Sequence, residues 1–137
     1  QDIRDIVTYA AQRNIEIIPE IDLPGHSQCL ATIYPEMLCN YTPNKSASLG
    51  YDVRSVLCAS KESNFELIED VLEEVCQLFP SQYIHVGGDE VDFSQWEKCP
   101  DCSAFMRRNN MYTAEELQEY FMMRLSEILS LPSQRCL

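Results

Sequence analysis

Apolar positions along this chain change period several times, and the changes mark out its elements. Over residues 2–12, DIRDIVTYAAQ, Ile3, Ile6, Val7, Ala10 and Ala11 recur three and four apart, which predicts a helix with one apolar stripe. Ile15 to Ile21, IEIIPEI, is a short β-branched run and predicts a strand. Pro24-Gly25 marks a turn after it, and residues 27–37 fit a short helix. From Asn40 to Ser60 the chain reads as polar and irregular, a long connection of the kind that often carries function. Ser63-Asn-Phe-Glu66 has the form of a capping box. The helix it predicts spaces Ile68, Val71, Leu72, Val75 and Phe79 along one face, and Pro80 ends it. Tyr83 to Val86, YIHV, predicts a second strand running into Gly-Gly-Asp-Glu. A second capping box, Thr113-Ala-Glu-Glu116, opens a helix expected to bury Leu117, Tyr120, Phe121, Leu125 and Ile128. The final residues, LPSQRCL, fit neither period.

The predicted order is α-β-α-β-α. Strands alternating with helices imply two parallel strands joined by a crossover helix. Two strands cannot cover the helical faces this chain carries. A parallel barrel takes roughly 200 to over 400 residues, whereas this chain has 137. The fold class expected is therefore α/β, a fragment of a (β/α)8 TIM barrel. A small open α/β sheet is the alternative, and it too requires further strands.

Composition narrows the functions. A net charge of −12 argues against nucleic acid and against anionic membrane surfaces. No apolar run approaches the ~18 residues of a membrane helix, so no membrane span is expected. The chain opens Gln-Asp-Ile and its first methionine is Met37, which leads us to expect a start outside this sequence. Nothing in the sequence sets an oligomeric state. Seven cysteines are an odd number, so at least one stays free or pairs elsewhere. Cys76 falls on a helix core face. Cys99-Pro-Asp-Cys102 is a lone CxxC. Cys39 and Cys58 could complete four metal ligands, but at irregular spacing. A redox site wants CxxC directly after a strand. A local disulfide or inert thiols is the simpler reading, and no metal is expected. Phe105, Met106, Met111, Phe121, Met122 and Met123 fall mostly at helical spacing and read as core. Glu115, Glu116 and Glu119 read as a solvated face.

Chemistry concentrates where the predicted strands end. In parallel α/β folds functional residues gather at the C-terminal ends of strands. The first strand ends Glu20-Ile-Asp22-Leu-Pro-Gly-His26 and the second ends Asp89-Glu90. Glu20 and Asp22 share strand parity and can face one side. Crossover-linked strands bring Asp22, His26, Asp89 and Glu90 towards one mouth. Each alone has a bland reading: Asp89 as a turn cap, His26 as a hydrogen-bonded loop residue, Glu20 as half of a structural ion pair. Ordinary glycosidases place two carboxyls about 5–9 Å apart across the scissile bond. Neighbours in sequence cannot readily straddle a sugar ring. An adjacent pair suits a reaction in which one acid donates the proton, the substrate supplies the nucleophile, and the second acid orients it.

At these residues the sequence resembles a known family. HVGGDEV, His85 to Val91, is similar to the His-x-Gly-Gly-Asp-Glu signature of family 20 glycoside hydrolases, the β-N-acetylhexosaminidases. IIPEIDLPGHSQ resembles the same family's preceding strand and turn, and Trp96 sits where that family often carries a tryptophan. The resemblance implies hydrolysis of terminal non-reducing N-acetylhexosamine, N-acetylglucosamine or N-acetylgalactosamine, by a substrate-assisted retaining mechanism without a cofactor. It implies Glu90 as general acid and base, and Asp89 as the group that holds the acetamido N–H. It implies His26, with Asp22 and His85, as supports, and Trp96 as a binding or supporting residue. Residues 1–137 would then be a partial catalytic barrel domain, truncated at both ends, with the third and fourth of eight strands. A secreted, periplasmic or lysosomal setting suits such substrates. The family's sugar-gripping arginine and most of its pocket tryptophans are absent here. An inactive fragment or carbohydrate-binding remnant is the alternative.

Overall fold

The computed structural model describes residues 1–39 and 55–130. Its elements in chain order are α1 (Asp2–Ala11), α2 (Gln28–Ile33), a 3-10 turn (Pro35–Met37), α3 (Glu62–Leu78), α4 (Ser94–Glu97), α5 (Pro100–Arg108) and α6 (Ala114–Leu129). The expected loop function of residues 40–54, and the tail from residue 131, lie outside the described residues.

The core is built on the two long helices. Phe65, Ile68 and Leu72 of α3 and Leu117, Phe121, Leu125 and Ile128 of α6 are buried in one cluster. Their i, i+3, i+4 spacing turns each set to one face. Phe65 meets Phe121 with ring centroids 5.0 Å apart. Burial of each such side chain stabilises by about 1.5–3 kcal/mol. Tyr120, Val71, Val75, Phe79 and Cys76 are half-buried rather than core. Phe105, Met106, Met111 and Met122 pack against the cluster, whereas Met123 is exposed on the far side of α6.

Thr113 caps α6 as its sequence predicts. Its side chain accepts from the Glu116 N–H at 3.3 Å, and Glu116 returns an acceptor to the Thr113 N–H at 3.0 Å. The Ser63–Glu66 box does not form. α3 starts earlier, with Lys61 at its N-cap and Glu62 in its first turn. Tertiary contacts move the start: Lys61 Nζ donates to the Leu38 carbonyl at 3.0 Å, and buried Asn64 donates to the carbonyls of Met37 and Cys58, both at 2.9 Å. These bonds hold the helix start against residues 37–38 and 58 and leave Ser63 on the exposed side.

Neither expected strand is formed as a strand among the described residues. One parallel bridge joins Glu20 to His85, and one antiparallel bridge joins Leu38 to Leu57. Isolated strand pairs are marginal, and parallel pairing depends on neighbours and on cover for both faces. Here Ile15, Ile18 and Tyr83 are exposed, so the outer sides of both segments lack that cover. The stripe of α1 is uncovered in the same way: Ile3, Ile6 and Ala11 are exposed, Val7 is half-buried, and only Ala10 is buried.

The reading of residues 40–60 as polar connection fails at its end. Ser55, Val56, Leu57, Cys58 and Ala59 are all buried. The Leu57 N–H donates to the Pro24 carbonyl at 3.0 Å, and Ser27 N–H donates to the Ser55 carbonyl at 3.2 Å. This segment is the floor on which the turn after Ile21 rests.

Candidate active site

The site is assembled from two turns held side by side by backbone bonds. Ile21 N–H donates to the His85 carbonyl at 2.9 Å, His85 N–H to the Pro19 carbonyl at 2.9 Å, and Leu23 N–H to the Val86 carbonyl at 3.1 Å. This register places Glu20-Ile-Asp22 alongside His85-Val-Gly-Gly. The Leu23–Pro24 peptide is cis. Ser27 ties the turn closed, its hydroxyl donating to the Gly25 carbonyl at 2.9 Å.

Two glycines let the turns interlock. A Cβ on Gly87 would sit 1.8 Å from Asp22 Oδ1, and Gly87 also has a positive φ of 66°. A Cβ on Gly25 would sit 3.0 Å from the Asp89 carbonyl. At position 87 only glycine permits this approach, and at position 25 a side chain would be tight. Asp22 fills the space beside Gly87 and accepts the Gly88 N–H at 3.0 Å. That bond fixes the carboxylate where the two turns meet.

His26 stands between the acids. Its Nε2 lies 3.7 Å from Asp22 Oδ2 and 3.5 Å from Glu90 Oε2. Both separations exceed a formed N–H···O bond, and they keep the imidazole in electrostatic reach of both carboxylates. His26 and Glu90 both take positive φ, 49° and 48°. Left-handed backbone at a non-glycine residue costs about 1–3 kcal/mol and collects at functional sites. Asn14 and Asn110 share this backbone away from the site, whereas His26 and Glu90 carry it where their side chains approach each other. His85 Nδ1 pairs with Glu20 Oε1 at 2.9 Å on the exposed flank. Carboxylate oxygens of Glu20, Asp22 and Asp89 all lie within 4.8 Å of one another. Asp89 and Glu90 are exposed, Glu90 with 71% of its side chain open.

The structure thus brings together Asp22, His26, His85, Asp89 and Glu90. Trp96 lies elsewhere. It is fully buried, stacks on Phe93, and donates its indole N–H to the Leu57 carbonyl at 2.9 Å. It supports the floor beneath the Pro24 turn from behind. Sequence reasoning missed Gln118, whose Nε2 donates to the Gly88 carbonyl at 2.8 Å and ties α6 to the acid turn. No local pattern marks it, since it is one polar residue on a helix. It also missed residues 55–59, where the apolar run Val56-Leu57-Cys58-Ala59 was the available signal. A concavity of about 590 Å³ lined by Ser60, Lys61, Asp101, Ala104, Arg107 and Arg108 shares no residue with the acid cluster.

This chain belongs to glycosyl hydrolase family 20: the model of that family's catalytic domain matches residues 1–137. It is 38% identical over 135 residues to a beta-hexosaminidase of Porphyromonas gingivalis, a match covering 98% of this chain and 17% of that protein. The chitobiase of Flavobacterium johnsoniae superposes with a TM-score of 0.85 at 36% identity, covering 97% of this chain and 20% of that one. An exo beta-N-acetylglucosaminidase of Vibrio harveyi, solved in complex with N-acetylglucosamine, superposes with a TM-score of 0.79 at 35% identity, covering 93% and 20%. The family domain has a TIM-barrel fold, and this chain matches part of it. No helix of the described residues is long and apolar enough to cross a membrane.

Proposed function

We propose that the protein carrying this chain is a β-N-acetylhexosaminidase that removes terminal non-reducing N-acetylhexosamine from glycans. Residues 1–137 are part of its catalytic barrel, and the remaining strands lie outside this sequence. In the complete barrel Ile15–Ile21 and Tyr83–Val86 are adjacent parallel strands, in the order α-β-α-β-α. The Glu20–His85 bridge supports that register.

The observation that carries the reading is the convergence of Asp22, His26 and Glu90 across two turns. Glu90 is the general acid, protonating the glycosidic oxygen as the acetamido oxygen of the substrate attacks the anomeric carbon. Asp89 accepts the acetamido N–H and stabilises the cationic oxazolinium that results. Glu90 then takes a proton from water, which opens the ring with overall retention. His26 positions Glu90 and is itself held by Asp22, whose other oxygen is fixed by the Gly88 N–H. His85 and Glu20 brace the flank. This division of labour needs two adjacent acids only, because the substrate brings the third group. N-acetylglucosamine is the first sugar to test, being the ligand of the Vibrio harveyi neighbour, with N-acetylgalactosamine beside it.

The test is hydrolysis of aryl N-acetylhexosaminides by the full-length protein. Glu90→Gln should lower kcat/KM for poor leaving groups by about 10²–10⁴ and affect activated ones less. Asp89→Asn should lower both. Unchanged rates in both variants would sink the assignment. The chain by itself is read differently: with Glu90 this open, we expect no turnover above background from residues 1–137 alone.

A further inference from the structure

We propose that Cys39, Cys58, Cys99 and Cys102 form a structural zinc site, a four-thiolate centre that staples three separate parts of the chain together. All four are buried, and their sulfurs lie within 4.8 Å of one another. Cys102 Sγ is 3.6 Å from Cys39 Sγ and 3.5 Å from Cys58 Sγ. Zinc bound tetrahedrally by thiolates at about 2.3 Å sets neighbouring sulfurs ~3.8 Å apart. The cluster is thus close to that size already. Cys102 approaches two partners almost equally, so no single pair is marked out for a disulfide. An all-sulfur tetrahedral set selects zinc or iron and excludes the hard cations.

The backbone explains how these residues meet. The antiparallel bridge between Leu38 and Leu57, with Cys58 N–H donating to the Met37 carbonyl at 2.8 Å, sets Cys39 beside Cys58. Cys99 is the N-cap of α5 and Cys102 lies in its first turn, with Pro100 at the first helical position. The positive end of a helix favours thiolate there. The Ser60 hydroxyl lies 3.3 Å from Cys58 Sγ and 3.7 Å from Cys102 Sγ, placed to hydrogen-bond ligating sulfurs. Irregular sequence spacing is no objection once this is seen, because convergence is achieved through the bridge and not through one loop. Cys39 and Cys58 stand on either side of residues 40–54 in the sequence, so the metal would join the chain across that interval. It would also hold residues 55–59, on which the Pro24 turn rests. The inference does not depend on the hexosaminidase reading.

The experiment is metal analysis of the purified full-length protein, then cobalt exchange. We expect one zinc equivalent bound through this chain, released by a thiol-specific mercurial. The cobalt form should show intense thiolate-to-metal charge transfer and tetrahedral d–d bands. Cys58→Ser and Cys102→Ser should abolish that spectrum, while Cys29→Ser, at an exposed cysteine, should keep it. Should the first two variants fail to fold, the cobalt spectrum of the unsubstituted protein still decides. Four alkylatable thiols with no bound metal, disulfides among the four by mass, or bound iron would each overturn the proposal.

Discussion

Asp22 and Gly87 are the tightest residue-scale constraint in the site. The aspartate occupies the space that a side chain at position 87 would need, and the backbone there is left-handed. Gly87→Ala should therefore lower stability by about 1–3 kcal/mol, read as a shift in urea midpoint of the full-length protein. Adding Asp22→Ala removes the carboxylate from the clash but leaves the Asp22 Cα at 2.7 Å, and the backbone strain with it. A double-mutant cycle should show coupling of about 0.5–3 kcal/mol; strict additivity would mean that the two positions do not touch. The identities of these residues were legible in the sequence, because a Gly-Gly turn into two acids stands out. Their contact was not, since it depends on the register of segments 66 residues apart.

Helices are the elements that the sequence reveals best, because the 3.6-residue period is local. The apolar faces of α3 and α6 could be read directly. The two capping boxes show where that ends. Thr113 and Ser63 head the same pattern, yet only Thr113 caps, because Lys61 and Asn64 are drawn to the carbonyls of residues 37, 38 and 58. Thr113→Ala should cost about 0.5–2 kcal/mol and Ser63→Ala almost nothing, by the same denaturation measurement. α3 and α6 are also joined by Glu62 and Arg124, whose guanidinium lies over the Phe65 ring at 4.4 Å. The Arg124 hydrogen bond holds the Glu62 carboxyl below its ordinary value of 4.5. A depressed carboxyl contributes stability above its ordinary value, and that contribution is lost as pH falls through the folded value. Glu62 is largely exposed, so the effect is small, about 0.2–1 kcal/mol. Arg124→Gln should therefore lower stability more at neutral pH than in acid. An equal loss at both would place its role in packing on Phe65.

For the molecule as a whole, what faces outward matters as much as what is buried. Ile3, Ile6, Tyr9, Ile15, Ile18 and Tyr83 are exposed. Where exposed apolar side chains adjoin, they mark interaction surfaces or aggregation hazards. The isolated chain should bind an apolar dye and self-associate with rising concentration in sedimentation, and the full-length protein should do neither. A monodisperse, dye-silent fragment would show that these side chains need no cover. The barrel was legible as alternating periods and strand-end acids. The two strands expected there are only bridged among the described residues, because β pairing is set by neighbours and not by the run that forms it.

The bond from the Gly88 N–H to Asp22 spans 66 residues, and that span has a consequence in time. A ribosome adds about 5–20 residues each second, so the first turn leaves it several seconds before its partner exists. During that interval Asp22 has no Gly88 to bind and IEIIPEI has no His85 to pair with. For that interval the nascent chain thus presents an unpartnered β-branched segment, and its acid site can take shape only once the second turn has been translated.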